Sequence, residues 1–239
     1  YAPLLLGASY SWNYSEKSVD NLAFHLNHYV FKDETANTGK AILMLGDAYL
    51  KADIPAGNAN AFHLMLRRFK WTMKGHYQTK HLTIKGLEAA ENEINNALAI
   101  LDKGKPTSED AAIVIAETKQ AAKLALHGAH LGEARLKAKG YATENIPEVE
   151  KEKLAEELAP IIENQKKTWL LRNREGGLED STDKLKELLE QSSITNQQRI
   201  TAKKNLIEKL KKDPNRDIKP KSPSEEVNTR STKIQHYAS

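Results

Sequence analysis

Residues 111–140 read AAIVIAETKQAAKLALHGAHLGEARLKAKG, and this stretch decides the fold. Apolar positions Ile113, Ala116, Leu124, His127 and Leu131 fall along one line at helical spacing. No proline interrupts them. Thr107 and Asp110 stand ahead of the run in the spacing of a capping box. The pattern predicts one helix reaching about residue 139, with Gly140 as its stop. Gly128 and Gly132 are four apart, so they share a face on which a neighbouring backbone can approach closely.

Outward from this helix the same period recurs. Residues 79–102 place Leu87, Ala90, Ile94, Leu98 and Leu101 in line, and Gly104-Lys105-Pro106 ends the run. Residues 149–172 carry Leu154, Leu158, Ile161, Gln165 and Trp169; Pro160 inside them predicts a kink or a split. A helix over 182–191 groups Leu185, Leu188 and Leu189. Three helices are predicted toward the amino end. The first begins after a cap at Ser15 and carries Val19, Leu22, Leu26, Tyr29 and Val30. The second covers 37–52, with Ile42, Leu45, Ala48 and Tyr49. The third covers 60–73, with Phe62, Leu66, Phe69 and Met73. No alternating strand pattern and no hairpin dipeptide is present. Long helices with short connections predict an all-α antiparallel bundle.

The chain has 239 residues, 28% of them charged, a net charge of +4 and no cysteine. Disulfides and thiolate metal sites are therefore excluded. The absence of cysteine leans toward a cytoplasmic setting. No apolar run is long enough to span a bilayer. The surplus of cations sits late, from Lys203 to Lys221, and Ile200, Leu206, Ile207 and Leu210 fit one amphipathic helix. Residues 213–239 read as a loosely attached tail rich in Pro, Ser and Lys. At the other end, Leu4-Leu5-Leu6 lies so near the terminus that burial is predicted, together with a larger polypeptide preceding it.

No catalytic constellation emerges from the residues. His25 and His28, and His127 and His130, are spaced to share helix faces. Neither pair belongs to a Glu-x-x-His or His-Glu-x-x-His motif, so no metal and no cofactor is expected. Glu88, Glu91, Glu93, Glu156 and Glu157 read as solvated faces of long helices. Arg67, Arg68, Lys70 and Trp71 interleave cations with an aromatic, but no nucleic-acid fold signature accompanies them, and no nucleic-acid partner is expected.

Two stretches resemble a known family. Tyr1-Ala-Pro-Leu-Leu-Leu-Gly-Ala-Ser-Tyr-Ser-Trp12-Asn13 is similar to the segment closing the catalytic (β/α)8 barrel in bacterial β-N-acetylhexosaminidases of glycoside hydrolase family 20. Trp169-Leu-Leu-Arg172-Asn173-Arg174-Glu175-Gly176-Gly177-Leu178-Glu-Asp180-Ser181 resembles the block that closes their helical carboxy-terminal domain. Ser9 and Glu175 depart from that pattern, which has Glu and Pro there. The resemblance implies three regions. Residues 1–32 would be a barrel end and junction helix, 33–191 the helical domain, and 192–239 an amphipathic helix with a basic tail. It also implies a parent enzyme that removes terminal N-acetylhexosamine with help from the substrate's own acetamide. The acid pair of that chemistry has no counterpart here, so this chain alone is expected to be inactive. Its role would be structural or dimer-forming, with the catalytic barrel of the same polypeptide as partner. Trp12 would either approach the sugar pocket or pack at the junction. Trp169, Arg172, Arg174, Gly176 and Gly177 would form a structural latch. The other reading of the same residues is a stand-alone helical interaction module with a basic tail.

Overall fold

The computed structural model describes residues 1–12, 21–54, 59–74 and 79–193, with Thr201, Lys204, Asn205, Ile207 and Glu208 beyond them. The fold is all-α: every regular element among the described residues is helical. The chain divides into two units, Tyr1–Ile194 and Thr195–Ser239. Of the second, the five positions named are helical, and Ile207 is exposed. Ser15, Val19, Ile200, Leu206, Leu210 and the tail 213–239 lie outside the described residues.

In the first unit, α1 spans Ala2–Trp12. Helix α2, Leu22–His25, runs on as a π-helix over Leu26–Phe31. Helix α3, Asn37–Asp47, ends in a 3-10 turn over Ala48–Ala52. Helices α4 (Ala61–Arg67), α5 (Ile84–Leu101), α6 (Ala111–Lys137), α7 (Glu148–Leu170) and α8 (Leu178–Ser193) follow.

Side-chain caps fix two of the starts. Thr83 accepts from the Gly86 amide at 3.0 Å to begin α5, and Asn60 accepts from the His63 amide at 2.9 Å to begin α4. The capping box expected before α6 does not form. Asp110 makes no cap bond and turns to the Tyr1 hydroxyl and Arg172, while Thr107 donates to the Lys32 carbonyl. A charged partner is a stronger attraction than a backbone amide.

Helix α4 is shorter than its periodicity predicts. Phe69 and Met73 are buried as expected, but in irregular chain. Thr143 donates to the Phe69 carbonyl at 2.7 Å, Thr79 to the Met73 carbonyl at 2.8 Å, and Arg135 to the Trp71 carbonyl. Tertiary donors satisfy the groups that a helix would have satisfied. Of the two outcomes expected at Pro160, the split does not occur, since α7 is continuous from Glu148 to Leu170. Pro160 lies on the exposed face, where water can serve the carbonyl that loses its donor.

The main core joins α4 to α8. It contains Phe62 and Met65, then Leu87, Ala90 and Ile94, then Ala122, Ala129 and Leu131, then Leu154, Leu158 and Ile161, and finally Leu185 and Leu188. On α6, Val114, Gln120 and Ala122 are buried, while Ile113, Ala116 and Leu124 are half-buried. Helices α4 and α6 meet at Gly128, where a Cβ would stand 2.8 Å from the Phe62 carbonyl oxygen and 2.9 Å from its Cα. Gly132 faces side chains of Leu87 and Met65 rather than backbone.

A second, smaller core consists of Leu26, Phe31 and Val114, with Ala2, Leu5, Leu22 and Ile42 packed against it. The predicted burial of the amino-terminal apolar run is not realised: α1 buries no residue, and Leu4 is 79% exposed. Tyr29 is exposed too. In the π-helical turn, residues three apart no longer share a face while residues four apart still do, which separates Tyr29 from Leu26 and keeps Val30 packed beside it.

Candidate functional site

The residues expected to form a latch, 169–177, make the following contacts. Where α7 ends, the indole of Trp169 is half-buried and its Nε1 donates to the Arg174 carbonyl at 2.8 Å. The Trp169 carbonyl accepts from the Asn173 amide at 2.9 Å. Arg174 thus contributes its backbone, and its side chain is exposed. Gly177 has φ +85°, a left-handed conformation, whereas Gly176 is outside the positive-φ set. Gly177 starts α8 rather than stopping α7, because its carbonyl accepts the first bond of α8 from the Ser181 amide at 3.0 Å. A Cβ there would sit 3.4 Å from the Trp169 ring.

Arg172 was expected as a member of the latch. Instead it leaves the latch and joins three distant groups. Nη2 donates to Asp110 Oδ2 at 2.9 Å and to the Tyr1 hydroxyl at 3.1 Å, and Nε donates to Glu117 at 3.0 Å. The Tyr1 hydroxyl donates to the same Asp110 oxygen at 2.5 Å. The Tyr1 hydroxyl and Arg172 hold the Asp110 carboxyl down at about 2, and Asp110 in turn raises the Arg172 guanidinium above its ordinary range. About a third of each side chain is exposed, so solvent screens most of this attraction.

A second polar cluster lies among three helices. His127 is 1% exposed, and its Nδ1 is 3.1 Å from Glu157 Oε2. His130 Nδ1 is 3.0 Å from both oxygens of Glu157, and its Nε2 is 3.4 Å from Glu91. Glu91 comes from α5, the histidines from α6 and Glu157 from α7. Hydrogen bonding to Glu157 raises the His130 imidazole to about 9, against the opposing effect of burial. Burial alone would raise Glu157, but hydrogen bonds from both histidines and their charge bring it to about 2. Glu91 and Glu157 are therefore not the solvated surface carboxylates that the sequence suggested. Among the described residues no group of three or more side chains has the arrangement to hold a metal ion. Chemically this cluster is a proton-holding ion pair that ties α5, α6 and α7 together.

The remaining candidates separate. Trp12 ends α1 with 93% of its surface exposed. Arg68 lies over the Trp71 ring at 4.1 Å, and Lys70 pairs with Glu187 on α8, so the cations of 67–71 do not align as one patch. His25 and His28 contact Phe24 and Tyr29 as rings. No described helix is long and apolar enough to cross a membrane. Sequence reading missed Glu157 as the partner of two histidines, because no local spacing reveals which helices lie side by side. No family model matches the chain, and no curated protein and no solved structure is detectably similar to it.

Proposed function

We propose that this chain is a non-catalytic helical domain that stands beside a catalytic barrel of the β-N-acetylhexosaminidase type and supports it structurally. The observation that carries the reading is the Arg172 node. The two stretches resembling that family, at 1–13 and 169–181, lie far apart in sequence. Yet Tyr1 and Arg172 share a hydrogen bond and a common carboxylate, Asp110. The resemblance thus falls on two pieces of one structural joint. Beside it, α1 presents Leu4 and Trp12 uncovered, an apolar face of the kind that marks interaction surfaces. The carboxylates brought together in the bundle are already committed to histidines, which leaves them unsuited to glycosidic chemistry.

The test has two arms. The pure chain is assayed on an aryl N-acetyl-β-glucosaminide, with no turnover expected. It is then mixed with a β-N-acetylhexosaminidase barrel stripped of its own helical domain, and association is followed by calorimetry. Saturable association that Leu4→Asp with Trp12→Asp abolishes supports the reading. Turnover lost in Glu157→Gln, no association, or a homodimer formed through the same face overturns it.

A further inference from the structure

An open cavity of about 450 Å3 lies where the π-helical turn after α2 leads into the loop before α3. Its volume is that of a small-ligand site. Part of its lining is aromatic. Phe24 and His28 stand one turn apart with parallel rings, their centroids 5.6 Å apart, and Phe24 is 60% exposed. The rest of the lining is largely polar and includes Lys32, Glu34 and Thr107.

The site is preformed. Lys32 and Ala36 hold left-handed φ of 50° and 58° without being glycine, which persists only where the surroundings fix it. Asp33 does the fixing. Its Oδ1 accepts from Thr35 Oγ1 at 2.6 Å and from the Lys105 amide at 3.1 Å; its Oδ2 accepts from the Thr38 amide at 2.8 Å. Burial would raise this carboxyl, but those hydrogen bonds hold it well below the usual carboxylate range. Asn27 fixes the floor, donating to the Ala23 and Ala36 carbonyls and accepting from the Gly39 amide. Asp33 and Asn27 are thereby committed to the scaffold. Lys32 and Glu34 are exposed at the cavity. A rigid floor, an exposed aromatic wall and a π-helical turn, often placed at functional sites, therefore coincide.

The geometry points to this cavity as a binding site for a saccharide ring. An exposed aromatic wall offers apolar area to the C–H face of a pyranose. The ring's hydroxyls need donors and acceptors together, and Lys32 and Glu34 supply one of each. The charges of Lys32 and Glu34 offset, which disfavours phosphate-bearing ligands such as nucleic acid. The choice of N-acetylglucosamine as the sugar rests on the reading under Proposed function.

The test titrates tri-N-acetylchitotriose into the pure, full chain and follows backbone amide shifts by NMR. Saturable shifts confined to residues 24–36 and 105–107 are expected. Phe24→Ala should weaken binding about tenfold, and Glu34→Gln by a smaller factor. Because Phe24 is largely exposed, its variant should melt like wild type, and the shift map of the wild-type chain stands without it. Shifts elsewhere, no saturation, or unchanged binding by Phe24→Ala overturns the proposal. So does tighter binding at this site by an aromatic peptide or single-stranded RNA. Equal binding of cellotriose keeps the saccharide site but breaks its link to N-acetylglucosamine. Failure of the barrel-association arm leaves this result standing, so the two readings fail separately.

Discussion

The two apolar cores of the first unit differ in closure. The main one, between α4 and α8, is sealed: Leu87, Ala90, Ile94, Leu158 and Leu188 have no measurable exposure. The smaller one seals only Leu26, Phe31 and Val114, and beside it α1 leaves Leu4 and Trp12 in solvent. Closed apolar packing and exposed apolar surface thus lie in different parts of the unit. The amino-terminal region leaves apolar area in solvent.

The sharpest way to break this contrast is a pair of truncations. Leu158→Ala should cost about 2–5 kcal/mol in urea unfolding, as fully buried leucines do. Leu5→Ala, half-buried against the smaller core, should cost about 1 kcal/mol, within the common range for single substitutions. Equal losses would mean that the two cores are energetically one.

Glu157→Ala should cost about 1–2 kcal/mol, because it leaves the buried His127 without its partner while half-exposed His130 keeps Glu91. Glu157→Gln should chiefly change the pH profile. His130 is raised from 6.5 to about 9, so its contribution is complete below 6.5 and is lost as pH rises through 9. Glu157 is lowered from 4.5 to about 2, so its contribution is complete above 4.5 and is lost as pH falls through 2. Thermal melts should therefore plateau between pH 4.5 and 6.5 and decline on both sides. The limbs should be shallow, since a third of each side chain meets solvent. A Glu157→Gln profile identical to wild type would remove the cluster from the stability of the sealed end.

The latch is expected to be intermediate. Gly177→Val should cost about 1–2 kcal/mol for its left-handed backbone. Trp169→Ala should cost about 2 kcal/mol, less than a fully buried indole, because the ring is only half-buried. Urea titrations of both variants give the values; a Trp169→Ala loss near 4 kcal/mol would place the ring in the core. Smallest of all, Leu4→Asn and Trp12→Asn should melt within about 0.5 kcal/mol of wild type, as exposed positions do. A clear loss in either would show that α1 is already partnered within the chain.

Helical period made the sealed half legible. Leu87, Ala90, Ile94, Leu154, Leu158, Leu185 and Leu188 lie inside as their spacing predicts, because burial of one face is what the period records. The close approach at Gly128 was legible for a related reason, since only a missing side chain permits it. What escaped depended on pairings between distant residues. Arg172 takes Asp110 from its helix cap, and Thr79 and Thr143 hold Met73 and Phe69 out of a helix. The change of face at Tyr29 comes from a π-helical turn, for which the local sequence carries no rule.

The contact at Gly128 also acts as a phase stop. Successive residues of an α-helix are turned by about 100°. With the Phe62 carbonyl 2.8 Å from where a Cβ would stand, no other residue type fits at that point of α6, so the helix can neither roll nor slide by one position. His127 precedes Gly128 and His130 follows it by two, so their bearing toward Glu157 is set by this one stop. Gly128→Ala should therefore be felt not only as crowding but as a detuned imidazole: an NMR titration should find His130 below its raised value of about 9. An unchanged midpoint would show that the charge cluster keeps its own alignment.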